Sequence, residues 1–238
     1  MEKLISELHR LYLPVAAAVT PQDWQRHLDG QAPLPLAPAD GKVRAAAMAF
    51  PFKAGQEEGQ HWNRLCDAAN ELQTRFGLPA PAVSVSGDSG YCLWLSLESP
   101  APASLVQDFV SLLQAAVMPD VDAPPPALPP LPPCLHPATD KWSAFIHPGM
   151  GASFADGSGL DVAPPLAGQV GFLEGLHSIS AAQFADVLGR LRAGTATEAA
   201  PPAPQEAAPG LLLKDATLED IVRHLHSKNI EPSFRFLK

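Results

Sequence analysis

No run of apolar residues in this 238-residue chain approaches the roughly 18 to 20 that a membrane-spanning helix requires. The opening MEKLISELHR carries acidic side chains at amphipathic spacing, and lacks the basic start and apolar stretch of a secretory signal. Cysteine is scarce. Cys66, Cys92 and Cys134 are spaced too widely for a Cys-x-x-Cys site, and three is an odd number for a disulfide framework. These absences give the expectation of a cytoplasmic protein without a membrane segment. Positive charge is also short, with 16 Lys+Arg against 25 Asp+Glu and a formal charge of −9. Residues 1–122 hold 8 basic and 14 acidic side chains, residues 123–213 hold 3 and 7, and residues 214–238 hold 5 and 4. A sequence-blind grip on nucleic acid works through Lys and Arg displacing counterions from phosphates, so that class is disfavoured. What remains open is a local basic groove, for which Arg44, Lys53, Arg64 and Arg75 are the candidates.

Catalytic sets are missing too. No nucleophile, base and orienting group can be assembled from the motifs of the chain. Pro148-Gly149-Met150-Gly151 has no lysine after it and is no P-loop. Cys134-Leu135-His136 with His147 supplies ligand types at spacings that fit no zinc pattern. His61 and His177 fall on predicted helices as surface or boundary residues, and Glu57-Glu58 reads as a solvated loop pair. No metal or cofactor is expected.

What the chain does have is a hydrophobic content of 46%, enough for a buried core, and 27 prolines, an excess that sits mostly in two clusters. Leu4, Ile5, Leu8, Leu11 and Tyr12 recur at helical spacing over residues 2–12. Thr20-Pro21-Gln22-Asp23 has the form of a helix start, with threonine as N-cap and proline in the first turn. Residues 42–52, bounded by Gly41 and Pro51, read as a strand although four of them are alanine. Trp62, Leu65, Ala69, Leu72 and Phe76 stripe a helix from 60 to 76 that Gly77 ends. Then Val83 and Val85 alternate with Ser84 and Ser86, and Gly87-Asp88-Ser89-Gly90 turns the chain. Tyr91, Leu93, Leu95 and Leu97 alternate with Cys92, Trp94 and Ser96, completing a hairpin over 81–99. A helix over 104–118 follows.

Strand, helix, strand, strand, helix gives an α+β, RRM-like or ferredoxin-like mixed sheet with helices packed on one face and a fourth strand still to be supplied. The strand predicted over 141–147 is the candidate. Residues 123–137 read as extended polyproline II, a stiff connector laid across the domain. Two further helices are expected over 165–176 and 180–191, the second with Ser180 and Gln183 in a capping box. The domain thus runs from 1 to 192. Residues 193–210 hold no apolar side chain larger than proline and read as a flexible linker. In 211–238 a short helix carries Leu218, Ile221, Val222 and Leu225 in one stripe, a face with no core of its own that suits a partner protein.

The hairpin, taken with the strand and helix before it, resembles the catalytic core of archaeo-eukaryotic primases and their primase-polymerase relatives. The resemblance covers about residues 42–165. It implies an RRM-like sheet with a D-x-D or D-x-E metal pair at the end of the first strand. It further implies a hairpin reading roughly S-G-x-G-x-H, whose serine and histidine hold nucleotide phosphate, and a later third carboxylate. Here Ser86 stands at the serine position, Cys92 at the histidine position and Asp161 at the third carboxylate. At the metal pair the chain has Ala49-Phe50-Pro51-Phe52, which offers no carboxylate oxygen to Mg²⁺ or Mn²⁺. The expectation is therefore a non-catalytic accessory or binding protein on a primase-like scaffold. Its candidate ligand-binding residues are Ser86, Gly87, Gly90, Cys92 and Trp94, on a face that would touch nucleotide or nucleic acid. Two rivals stand beside it: a module that recruits a partner through the Pro-rich stretch and the C-terminal helix, and an active nucleotidyltransferase drawing its carboxylates from Asp88 and Asp161. Gly87 and Gly90 also have a plain reading, as residues that give a tight turn its positive φ.

Overall fold

The computed structural model describes residues 1–14, 19–34, 36, 41–52, 59–88, 90–119, 128–154 and 159–194. Helix α1 (Glu2–Leu11) forms as its spacing predicts, burying Leu4, Leu8 and Leu11, each side chain worth about 2 kcal/mol when fully removed from water. Helix α2 (Pro21–Leu28) starts on a reciprocal cap: the Asp23 N–H donates to Thr20 Oγ1 (3.2 Å) and the Thr20 N–H to the Asp23 carboxylate (3.0 Å). The bonds from Thr20 hold that carboxyl below the usual range.

The centre of the molecule is one curled sheet. Strand β1 (Lys42–Pro51), helix α3 (Gln60–Thr74), strands β2 (Ala82–Val85) and β3 (Gly90–Pro102) and helix α4 (Ala103–Val117) follow in chain order. Strands β4 (Cys134–His136) and β5 (Lys141–Ile146), a 3-10 turn at Pro148–Phe154, and helices α5 (Leu166–Leu173) and α6 (Ala181–Arg192) complete it. The strand order is β1-β3-β2-β5-β4, and each of these neighbouring pairs is antiparallel. Strands β1 and β2 run in the same direction, as a crossover helix requires, with β3 inserted between them; this is the split βαβ of ferredoxin-like proteins. The strand predicted over 141–147 joins at the β2 edge.

Three expectations need correction. Among the described residues every pair of neighbouring strands is antiparallel and the sheet is not mixed, because β3 lies between β1 and β2 and keeps those two parallel strands apart. Helices cover both faces of the sheet. Met48, Phe50, Val83, Val85, Leu93 and Leu95 pack with α3, α4 and α6, while Ala45, Ala47, Cys92, Trp94 and Phe145 pack with α1, α2 and α5. The alanines of β1 are explained by the second face: Ala47 and Ala82 flank Trp94 on the neighbouring strands, and only small side chains leave room for the indole. The extended Pro-rich reading also stops short, because Cys134–His136 forms β4 on the edge of β5. Cys134 and Ser143 close that pair through the hydroxyl, with the Cys134 N–H donating to Ser143 Oγ and Ser143 Oγ donating to the Cys134 carbonyl, both at 3.1 Å.

Arg44 fixes α1 to the sheet. The β1–β3 register shifts between Val43 and Ala45, and Arg44 at that irregularity donates to the carbonyls of Leu97 (2.8 Å), Arg10 (2.8 Å), His9 (3.2 Å) and Leu13 (3.3 Å). A helix C-terminus leaves such carbonyls without intrahelical donors, and a cation there also meets the negative end of the helix dipole. Among the described residues no helix is long and apolar enough to cross a membrane.

Candidate functional site

Small side chains line up across the sheet beside the hairpin turn. Ala49 of β1 is registered opposite Cys92 of β3, and Cys92 opposite Ser84 of β2. Successive residues of a strand face opposite sides, so Ala49, Cys92, Ser84 and Ser86 share one face, and Ser143 extends the row from β5. Short side chains on adjacent strands leave volume between sheet and cover. The result is a cup of about 160 Å³, with Trp94 at its inner side and Pro129, Pro130 and Pro132 as its opposite wall. The Pro-rich segment is held there by Leu131, which is fully buried. Tyr91 and Asp88 complete the lining.

Of the five sequence-predicted site residues, Ser86, Cys92 and Trp94 line the cup, whereas Gly87 and Gly90 serve the turn. Ser86 Oγ accepts the N–H of Gly90 (2.9 Å) and of Asp88 (3.3 Å), so these amides, the natural donors to a phosphate, are engaged inside the turn. Gly87 has φ +86° and lies where a Cβ would come within 3.1 Å of the Lys141 carbonyl and the Ser143 amide. Its own carbonyl accepts from Thr139 Oγ1 at 2.6 Å. Gly90, at φ +140°, passes so close to the Phe50 carbonyl that a side chain would overlap it. Cys92 is sealed, and burial pushes its thiol far above the usual range; it stays neutral and cannot replace a phosphate-binding imidazole.

Trp94 is 1% exposed. Its Nε1–H donates to Ser84 Oγ at 2.8 Å, and Tyr12 and Phe145 pack against it at ring-centroid distances of 5.6 and 6.2 Å. An RRM stacks bases on open aromatic rings; here α1 and the residue after it occupy that side. The candidate basic groove is depleted in a similar way. Arg44 is spent on carbonyls of β3 and of the C-terminal end of α1, and Arg75 bonds Glu71 Oε2 and the Ala116 carbonyl, both at 3.1 Å. Lys53 lies outside the described residues, as do Leu218, Ile221, Val222 and Leu225 with the segment from 195 onward.

The carboxylates invoked for an active enzyme have other neighbours. Asp88 faces His136 Nε2 at 3.7 Å, and Asp161, largely exposed, faces Lys141 Nζ at 3.6 Å. No group of three or more His, Cys, Asp or Glu residues suited to a metal ion occurs among the described residues, and the Cys134, His136 and His147 combination is not brought together as one. Of the residues at the expected metal pair, Ala49 faces the cup, Phe50 enters the opposite core, and Phe52 packs on His61 at 3.9 Å between ring centroids. His61 is a further correction: it is buried beneath Phe52 and stacked on Tyr91, and burial lowers its pKa.

Ser84, Ser143, Ala49 and the three prolines were not among the ligand-binding residues expected from the sequence. The alternation of Ser84 with Ser86 was the available signal, since polar residues on a central strand must find partners or a cavity. The prolines gave none, because their place depends on where Leu131 docks. No family model matches the chain, and no curated protein sequence matches it.

Proposed function

We propose that this chain is a non-catalytic binding protein on a primase-like scaffold, with the cup beside the hairpin turn as its recognition site. The observation that carries the reading is the register Ala49–Cys92–Ser84. The side chains of that register, where the resemblance implies metal and phosphate chemistry, are a methyl, a neutral thiol and a hydroxyl, and Asp88 is the one carboxylate among the described lining residues, short of the set that two metal ions need. Two-metal phosphoryl transfer needs carboxylate oxygens to bridge the ions and substrate phosphates. A concave site of mixed apolar and hydroxyl lining is instead what small-ligand recognition uses.

The test is a primer-extension assay on the full chain with nucleoside triphosphates and Mg²⁺ or Mn²⁺, run beside a nucleotide-transfer assay without primer. The expected result is no product above a protein-free control at any metal concentration. Metal-dependent incorporation would overturn the reading.

A further inference from the structure

We propose that the cup binds a single small neutral ring whose one polar atom is a hydrogen-bond acceptor, held by the hydroxyl proton of Ser84. This inference deepens the binding reading above and rests on it.

Size sets the first limit. A cavity of about 160 Å³ is comparable to engineered cavities of about 150 Å³ that admit benzene. One ring fits, whereas a nucleoside triphosphate far exceeds it. Shape sets the second limit. The sheet presents the Ala49 methyl and the Cys92 thiol on one side, and Pro129, Pro130 and Pro132 close the other with pyrrolidine rings that carry no N–H. Apolar surfaces on both sides suit the two faces of a flat ligand, so its polar atom must be met at the edge.

The hydrogen bonds around the cup decide what that atom is. A buried polar group needs a partner, and most of the described lining groups already have theirs. Ser143 both accepts from and donates to Cys134, and Ser86 accepts two turn amides and has a further interaction. The Tyr91 hydroxyl donates to the Gly151 carbonyl at 2.6 Å. Asp88 faces His136 Nε2 at 3.7 Å and also has a further interaction, and the Cys92 thiol, a weak donor, is turned to the Leu93 carbonyl at 3.7 Å. Ser84 is the exception. It is 1% exposed, and its Oγ accepts the Trp94 indole proton at 2.8 Å, which uses one lone pair and leaves the O–H without a partner among the described residues. A ring nitrogen presents its lone pair in the ring plane, so it accepts that proton while both faces of the ring stay covered. A ligand whose polar atom is a donor leaves the Ser84 proton unmet.

The experiment uses the full ¹⁵N-labelled chain near neutral pH and two uncharged probes of similar size: pyridine, whose nitrogen accepts, and pyrrole, whose N–H donates. The expected result is saturable shifts from pyridine at the Trp94 indole N–H and the backbone amides of Ser84, Cys92 and Ser143. Pyrrole should bind about tenfold more weakly, the equivalent of one buried donor left unsatisfied. Ser84→Cys keeps the side-chain length and an acceptor for the indole but offers only a weak S–H donor, so it should bring the two rings to within about twofold of each other by the same reckoning. If that variant does not fold, the comparison of the two rings on the unaltered chain decides alone. Equal affinity of the two rings for the unaltered chain, an unchanged preference in the folded Ser84→Cys variant, or no shift at the cup would overturn the proposal. Failure here with primer extension still absent removes the ring assignment alone. Metal-dependent incorporation removes the parent reading whatever the titration gives.

Discussion

Gln169 completes a strand pairing that the chain cannot make. Strand β4 begins at Cys134, and the residues before it are Pro132 and Pro133, which have no N–H to continue the ladder along β5. Phe145 is the β5 residue left over. Its N–H donates to Gln169 Oε1 at 2.8 Å and its carbonyl accepts from Gln169 Nε2 at 2.9 Å, so one buried amide replaces both bonds of a strand partner. Gln169→Leu keeps the volume and orphans a buried donor and a buried acceptor. At about 1–3 kcal/mol for each of the two unsatisfied groups, the expected loss is roughly 2–6 kcal/mol, read as a lower urea midpoint with unchanged slope. Gln169→Glu restores an acceptor for the N–H but sets a carboxylate against the Phe145 carbonyl, so it should recover little. An unaltered midpoint for the leucine variant would show that water or a backbone shift supplies the missing partners.

At the scale of elements, periodicity served well wherever one covering layer decided a segment's pattern. The stripes of α1, α3, α4 and α6, the cap at Thr20, the capping box at Ser180 and the hairpin all follow from residues close in sequence, and their physics is local. What was hidden depends on partners far along the chain. The strand of β1 was legible but its alanines were not explained, because the indole that Ala47 faces belongs to β3, and Trp94 was placed on a ligand-binding face because Tyr12, which covers it, lies 82 positions away. Strand β4 was masked by prolines, since its pairing rests on the Ser143 hydroxyl as much as on backbone donors. The candidate site was legible in the same measure: Ser86, Cys92 and Trp94 border the cup, while Ser84, Ser143 and the proline wall came only with the fold. Gly87 joins these levels, because the turn it permits is also packed against β5. Gly87→Ala places a side chain at φ +86° and 3.1 Å from two backbone atoms of that strand. Left-handed strain of about 1–2 kcal/mol and overpacking of about 1–3 kcal/mol together predict a loss of roughly 2–5 kcal/mol, measured by urea unfolding. A change under 1 kcal/mol would show that the turn can move away from the β4–β5 edge.

For the molecule as a whole, acid should be the destabilising direction, and His27 sets where the decline begins. His27 is fully buried on α2, its Nδ1 accepts the Leu34 N–H at 3.2 Å, and Nε2 is turned towards the Leu131 carbonyl without closing a full hydrogen bond. Burial lowers its pKa from 6.5 to about 4, partly opposed by that carbonyl. The unfolded chain therefore takes up a proton at a pH where the folded chain does not, and stability rises with pH across this window. The contribution is full above the unfolded value and is lost as the pH falls from about 6.5 towards about 4, a difference of roughly 3 kcal/mol at about 1.4 kcal/mol per unit. His61 and His9, also lowered by burial, act in the same direction. The Asp23 cap is lost in a different window, because its carboxyl is held below 3.8 and must be protonated to break. His27→Asn retains an oxygen for the Leu34 amide and removes the titration. Urea midpoints of the two proteins between pH 7.5 and 4 should diverge, with the variant losing about 3 kcal/mol less than the native chain over that range. Parallel curves would mean that the ring is hydrated in the folded protein, and that Leu131, which His27 faces, does not seal the Pro-rich wall against the second core.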